Sequence, residues 1–318
     1  MVDDFYDAMN EPRYGGIPTF MRTPHITDFN ALDIALLGIP YDGAVEARSG
    51  TRQGPRQIRD MSSMMRKIHH VTRINPYTLC RVGDVRDVHF HKIFDVESSH
   101  ADITACIAQL DDCSVIPLSA GGDHSITLPI LRALTKEASV GLIHIDAHTD
   151  SCDEEMHSMY SHGTPFRRAV EEGLLDPHRT IQIGIRGAAN SEECWEFGRQ
   201  HGMRQIYIEE FSTMGVDRVI EEARSIVGDQ RTYLTFDIDG IDPAFAPGTG
   251  TPEIGGIMPI EAQALIRGLR GLNLIGADIV EVSPPFDQSG NTALIAATLM
   301  YEMLCIIADA HYSPSRQT

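Results

Sequence analysis

Six side chains at three points of the 318-residue sequence have the types and spacing of metal ligands. Asp146-Ala147-His148-Thr149-Asp150 follows the apolar run 140–145, and Asp237-Ile238-Asp239 follows a second run, 232–236. His124 ends a third, behind Gly121, Gly122 and Asp123. An apolar, β-branched run of this length reads as a buried strand, and successive side chains of a strand alternate between its faces. On that reading Asp146, His148 and Asp150 share one face, as do Asp237 and Asp239. Carboxylates gathered in a crevice at the carboxyl ends of parallel strands repel one another or stay protonated unless a cation lies between them. Four carboxylates and two imidazoles exceed what one tetrahedral zinc takes. They suit two divalent ions sharing bridging carboxylates, Mn2+ first among them, although ligand type alone leaves Ni2+ and Zn2+ open. A strand-end Asp also serves as a helix N-cap, but capping does not call for alternate carboxylates with histidines on separate strands.

These ligands need a sheet to position them. Apolar runs predict strands near 32–40, 79–82, 115–118, 140–145, 180–185, 205–208, 232–236 and 275–282. Helices are predicted from Pro55, around 103–110, from Leu128, over 215–227 and over 293–308. Strands alternating with helices give an α/β fold with a mostly parallel sheet of about eight strands, covered on both faces. The helix from Pro55 is expected to run through Met61, Met64, Met65 and Ile68 as a core stripe. Residues 1–32, broken by Pro12, Gly15, Gly16, Pro18 and Pro24, read as an arm laid over a neighbour, with a single catalytic domain over 33–318.

A share of 42% apolar residues supplies a sizeable core, and a formal charge of −19 argues against nucleic acid or an anionic membrane as partner. The start of the chain lacks a basic and apolar leader pattern, and no apolar run reads as a membrane span, so the expectation is a cytoplasmic protein. Six cysteines, at 80, 106, 113, 152, 194 and 305, have no paired spacing and indicate neither a disulfide framework nor a CxxC metal site. His69-His70 and the pair His89 and His91 lack a third ligand nearby and read as solvated loops. The run 247–253 (PGTGTPE) has the glycines of a phosphate loop without its Gly-Lys-Ser/Thr, so that reading is rejected.

Gly121-Gly122-Asp123-His124, Asp146-Ala-His148-Thr-Asp150, Ser161-His162-Gly163 and Asp237-Ile-Asp239-Gly-Ile-Asp242-Pro243 resemble, in order, the signatures of the ureohydrolases, the arginase and agmatinase family. The resemblance covers the chain from about Leu32 onward. It implies a three-layer α/β/α fold with a binuclear manganese centre, whose hydroxide hydrolyses guanidino groups to urea and an amine. It also implies that His124, Asp146, Asp150 and Asp237 hold one ion and Asp146, His148, Asp237 and Asp239 the other, with Asp146 and Asp237 as bridges. Asp150 is then the proton relay, His162 the shuttle to solvent, and Glu281, in Val280-Glu281-Val282-Ser283-Pro284, the carboxylate that pairs with the guanidinium.

The substrate side departs from the family. Arginases carry asparagine where this chain has Cys152, which argues against arginine as substrate. The acidic run 152–160, with Cys152, Met156 and Tyr160 as candidate pocket residues, and Glu46, where agmatinases show a small or hydroxyl residue, favour a cationic or neutral tail. Against this, 11–22 and 162–168 resemble the branch containing guanidinobutyrase, guanidinopropionase and proclavaminate amidinohydrolase, which act on guanidino acids. The resulting expectation is an agmatinase-type amidinohydrolase. The alternatives are a guanidino-acid hydrolase, a hydrolase of N-alkylated guanidines or biguanides with nickel, and a non-catalytic subunit of a heteromeric ureohydrolase. A homohexamer is expected, with assembly alongside a paralogous subunit as the alternative. Tyr14, Phe20 and Met21 of the arm are expected to supply apolar contacts between subunits.

Overall fold

The structure is a computed structural model that describes residues 11–313. Its sheet has eight parallel strands: β1 (Ile34–Ile39), β2 (Val82–Asp87), β3 (Ile116–Gly121), β4 (Val140–Ile145), β5 (Leu175–Ile185), β6 (Arg204–Tyr207), β7 (Thr232–Asp237) and β8 (Leu274–Val280). They lie in the order β2-β1-β3-β8-β7-β4-β5-β6. This order sets β3, β8, β7 and β4 side by side at the centre, so segments far apart in sequence end next to one another on the carboxyl edge of the sheet.

Between and after the strands run α1 (Gly54–Ser62), α2 (Pro76–Leu79), α3 (Val96–Asp112), α4 (Thr127–Leu134), α5 (Pro165–Glu171), α6 (Glu193–His201), α7 (Ile208–Met214), α8 (Val216–Val227), α9 (Pro259–Gly268) and α10 (Asn291–Tyr312). One face of the sheet packs on α1, α7, α8, α9 and α10. The other packs on α3, α4 and α5, giving the expected three-layer α/β/α architecture. β1, β4 and β7 are buried at every residue, which is why each reads as an unbroken apolar run. Truncating a side chain from this interior, as in Leu234→Ala, leaves a cavity and costs about 2–5 kcal/mol.

Several local expectations fail for identifiable reasons. α1 stops at Ser62, whose hydroxyl donates to Arg59 O (2.7 Å) and accepts the Met21 N–H (2.7 Å), and Met64 and Ile68 beyond it are exposed. Residues 76–79 form α2 behind Asn75, whose side chain accepts the Tyr77 N–H, so the strand expected near 79–82 begins only at Val82. That strand lies at the edge of the sheet and is buried only in its first half, which hides its period. Phe20 and Met21 are buried in this chain's own core, with Arg59 stacked on the Phe20 ring at 4.2 Å. They are therefore not an arm on a neighbour, whereas Tyr14 and Ile17 are exposed and residues 1–10 lie outside the described residues.

Among the described residues α10 is long and apolar enough to cross a membrane, contrary to the sequence reading. It is a core helix, and its buried Glu302 and Asp309 pair with Arg267 (3.0 Å) and Arg270 (2.7 Å). His69 is buried too, 3.0 Å from Glu302, rather than solvated as expected.

Candidate metal centre

All six candidate ligands come together at the carboxyl edge, from the ends of β3, β4 and β7, but not by strand alternation. β4 ends at Ile145, so Asp146, His148 and Asp150 converge through a turn rather than along one strand face. In that turn the His148 N–H donates to Asp146 Oδ1 (2.6 Å) and Asp150 adopts a positive φ of 47°. A left-handed carboxylate residue is uncommon outside turns, and such strain is held only where surrounding contacts fix it. Here the Phe166 N–H donates to Asp150 O (3.0 Å), anchoring the turn on α5. Asp237 is the last residue of β7, and the Asp239 N–H donates to Asp237 Oδ1 (2.8 Å) in the following 3-10 turn. At Gly122 a Cβ would lie 1.9 Å from Tyr41 O, so only glycine lets this segment bring His124 against the end of β1.

Two clusters result. His124 Nδ1 lies 3.1 Å from Asp146 Oδ2, 2.9 Å from Asp150 Oδ2 and 3.2 Å from Asp237 Oδ2. His148 Nδ1 lies 3.1 Å from Asp239 Oδ2 and 3.5 Å from Asp146 Oδ1. Asp146 thus gives one oxygen to each cluster. His124 Nδ1 is buried with no hydrogen-bond partner, although three carboxylates surround it, which is the arrangement of an atom directed at a shared cation. The donor set fits two divalent ions. Burial, together with the charges of Asp239 and Asp146, pushes the Asp237 carboxyl well above the usual carboxylate range. Burial and the Asp146 charge raise Asp150 and Asp239 as well. Burial likewise opposes ionisation of Asp146, but His144, His124 and His148 hold it well below that range.

The groups that orient these ligands were not read from the sequence. His124 Nε2 donates to Thr235 Oγ1 (2.9 Å), which donates to buried Asp278 (2.5 Å), leaving Nδ1 free for the cluster. His144 Nε2 donates to Asp146 Oδ2 (2.6 Å), and its Nδ1 accepts from Gln182 (3.0 Å). Arg186 is buried and spends its guanidinium on backbone carbonyls, including those of Asp239 (2.5 Å) and Glu253 (2.9 Å). A histidine two residues before Asp146 and an acid inside the apolar run of β8 were the available signals.

Glu281, just past β8, also has a positive φ, 62°. Its Oε1 accepts the His124 N–H (2.9 Å) and faces His162 Nδ1 (3.2 Å), while its Oε2 is buried without a partner beside Gly250. A cavity of about 500 Å³ opens over the centre and is lined by Glu46, His148, Asp150, Cys152, Met156, His162, Arg186 and Glu253 among others. Tyr160 does not line it. Its ring packs on His100 (5.7 Å) and under the Arg132 guanidinium (5.5 Å), because the 152–160 loop turns back toward α3 and α4. Cys152 reaches the cavity not as a free polar group but in a disulfide with Cys194, at the start of α6.

Residues 32–305 match the Arginase family. The chain belongs to the arginase family. It is 54% identical over 305 residues to a guanidinopropionase of Pseudomonas aeruginosa, covering 96% of both proteins. It is 47% identical to a guanidinobutyrase of the same organism, over 93% of this chain and 94% of that one. The solved structure of proclavaminate amidinohydrolase from Streptomyces clavuligerus superimposes with a TM-score of 0.91 at 37% identity, over 95% of this chain and all of that one. As an arginase-family amidinohydrolase, the chain hydrolyses a C–N bond of a guanidino compound at a divalent metal centre.

Proposed function

We propose that this chain is a single catalytic domain, 33–318, that releases urea from a small guanidino compound with a neutral or cationic tail. The observation that carries the reading is the pair of imidazole and carboxylate clusters sharing Asp146 beside the unpartnered Glu281 Oε2. His124, Asp146, Asp150 and Asp237 would hold one ion, and Asp146, His148, Asp237 and Asp239 the other. Two imidazoles and four carboxylates suit Mn2+, with Ni2+ as the alternative. Such ions, when bound, lower the pKa of a water enough to give a nucleophile at neutral pH.

The chain's own groups do the rest. Glu281 Oε2 orients the guanidinium by a charge-assisted pair, Asp150 relays a proton from the nucleophile to the departing amine, and His162 shuttles protons between the site and solvent. For the tail, Arg186 is the single Arg or Lys among the described cavity residues, and carbonyls already occupy it. Glu154 and Glu253 face the same space, so a carboxylate tail meets like charge there. A second reading, a guanidino-acid hydrolase, is favoured by the 54% identity to a guanidinopropionase. The presence of all six ligands supports a catalytic chain over a partner subunit without activity.

The deciding experiment is urea release by protein loaded with Mn2+ or Ni2+, across agmatine, 3-guanidinopropionate, 4-guanidinobutyrate and an N-alkylated guanidine. Absence of urea from every member with either metal overturns the proposal.

A further inference from the structure

Glu46, read from the sequence as a charge for the substrate tail, is engaged elsewhere. Its Oε2 is bonded to His162 Nε2, and the other ring nitrogen, Nδ1, faces Glu281 Oε1 at 3.2 Å. The ring is therefore clamped between an outer and an inner carboxylate. Both ring nitrogens face carboxylate oxygens, so the clamp fixes the position and orientation of the imidazole.

The backbone builds this clamp in. The His162 N–H donates to Ala44 O (3.0 Å), two residues before Glu46, and the Ala44 N–H donates to Asp123 Oδ2 (3.0 Å) beside the metal-ligand turn. On the far side of Glu46, Arg48 donates to Pro247 O (3.2 Å) and stacks on Phe286 at 4.1 Å. Glu46 thus projects from a loop braced on both sides. Glu281 needs the same arrangement, because keeping His162 on Oε1 leaves Oε2 unspent and buried beside Gly250.

We infer that Glu46 is a positioning residue for His162: the Glu46–His162–Glu281 bridge fixes the ring so that its proton is delivered at the site while Glu281 Oε2 stays available for the guanidinium. This rests on the role proposed above for His162, and it removes Glu46 from tail recognition. The charge on Glu46 is secondary to its reach, since the side-chain oxygen of glutamine would accept the same hydrogen bond.

The test is a double-mutant cycle on metal-loaded enzyme with a guanidino substrate that the wild type turns over. His162→Asn should lower kcat about 100-fold and Glu46→Ala about tenfold with KM changed less than about twofold. Glu46→Gln should keep kcat within about threefold and leave the order of substrates unchanged. The double variant Glu46→Ala/His162→Asn should match His162→Asn within about twofold, whereas independent roles would multiply to about 1000-fold. Multiplicative losses, or a changed substrate order in Glu46→Gln, overturn the inference. Crystal structures of the loaded variants give a readout without turnover. The His162–Glu281 contact should be lost in Glu46→Ala and kept in Glu46→Gln, and its persistence in Glu46→Ala also overturns the inference. Lack of turnover in the wild type counts against the proposed function, and the crystal structures still decide the role of Glu46.

Discussion

Cys152 and Cys194 are joined in a disulfide that ties the loop two residues beyond Asp150 to the first turn of α6. The same junction is reinforced by Thr149 Oγ1, which donates to Cys194 O (2.9 Å), and by the Cys152 N–H, which donates to Gly163 O (3.0 Å). Closing a loop between residues 42 apart stabilises a fold by about 2–4 kcal/mol. Denatured but unreduced protein should show four free thiols, those of Cys80, Cys106, Cys113 and Cys305, and six after reduction. Reduction or Cys194→Ala should lower the melting temperature by several degrees and weaken metal retention through Asp150. A count of six thiols before reduction would refute the bond.

The shared position of Asp146 separates two classes of variant. Asp146→Ala removes an oxygen from both clusters and Asp237→Ala a carboxylate 3.2 Å from His124 Nδ1, so each should lose bound metal together with activity. Glu281→Ala leaves the six ligands intact and should retain two ions while turnover falls by at least about 100-fold. Thr235→Val cuts the link from His124 to Asp278 and should weaken metal binding roughly tenfold. Elemental analysis after gel filtration measures all four. Two ions retained by Asp237→Ala with normal turnover would falsify the ligand assignment.

The sheet was legible because central parallel strands are buried on both faces and read as continuous apolar runs, as β4 and β7 do. The ligands were legible because acids and imidazoles at the ends of such runs have few other uses. Alternation along a strand does not account for their convergence, since β4 ends at Ile145, before His148, and Asp150 turns back through a positive φ. Nonlocal pairings left no local trace. The Cys152–Cys194 bond and the Glu46–His162 contact join residues that nothing in their spacing connects. Asp278 and His144 were hidden inside apolar runs, where a polar residue was itself the clue.

Metal loading should release protons. Burial and neighbouring carboxylates raise Asp237, Asp150 and Asp239, so these groups bind protons more strongly than free carboxyls, and a metal must displace those protons. Affinity should therefore fall as pH falls. Titration calorimetry in two buffers of different ionisation enthalpy should give different apparent heats, with a positive number of protons released. Equal heats in both buffers would contradict this.

Assembly should bury apolar side chains that the chain leaves open. Phe94, Ile254 and Ile260 are 98%, 82% and 69% exposed, and contacts between copies are the simplest cover for such residues. A homohexamer is the proposed state, and light scattering at micromolar concentration should give about six times the 35.1 kDa chain mass. Ile260→Glu should shift the distribution toward smaller species, and a monomer mass for the wild type would refute the proposal.

The tail preference follows from which cavity charges are already engaged. Glu46 is bonded to His162 and Glu193 is paired with Arg167. Glu155, which accepts the Ser161 hydroxyl (2.6 Å), keeps its charge, and Glu154 has only the exposed His157 at 3.9 Å among the described residues, so Glu154, Glu155 and Glu253 set the field at the mouth. Asp153, expected in the same role, is paired with Arg168 (2.8 Å) and does not line the cavity. Each exposed charge is worth up to about 1 kcal/mol, so one well-placed carboxylate biases kcat/KM roughly fivefold against an anionic tail. Agmatine or an N-alkylated guanidine should exceed 3-guanidinopropionate by that factor at low salt, and the ratio should shrink as ionic strength rises. Glu154→Gln/Glu253→Gln should bring the ratio toward one by improving the guanidino acid, while Glu46→Gln leaves it unchanged. Should 3-guanidinopropionate be the better wild-type substrate, mouth charge does not govern the choice, and the guanidino-acid reading takes its place.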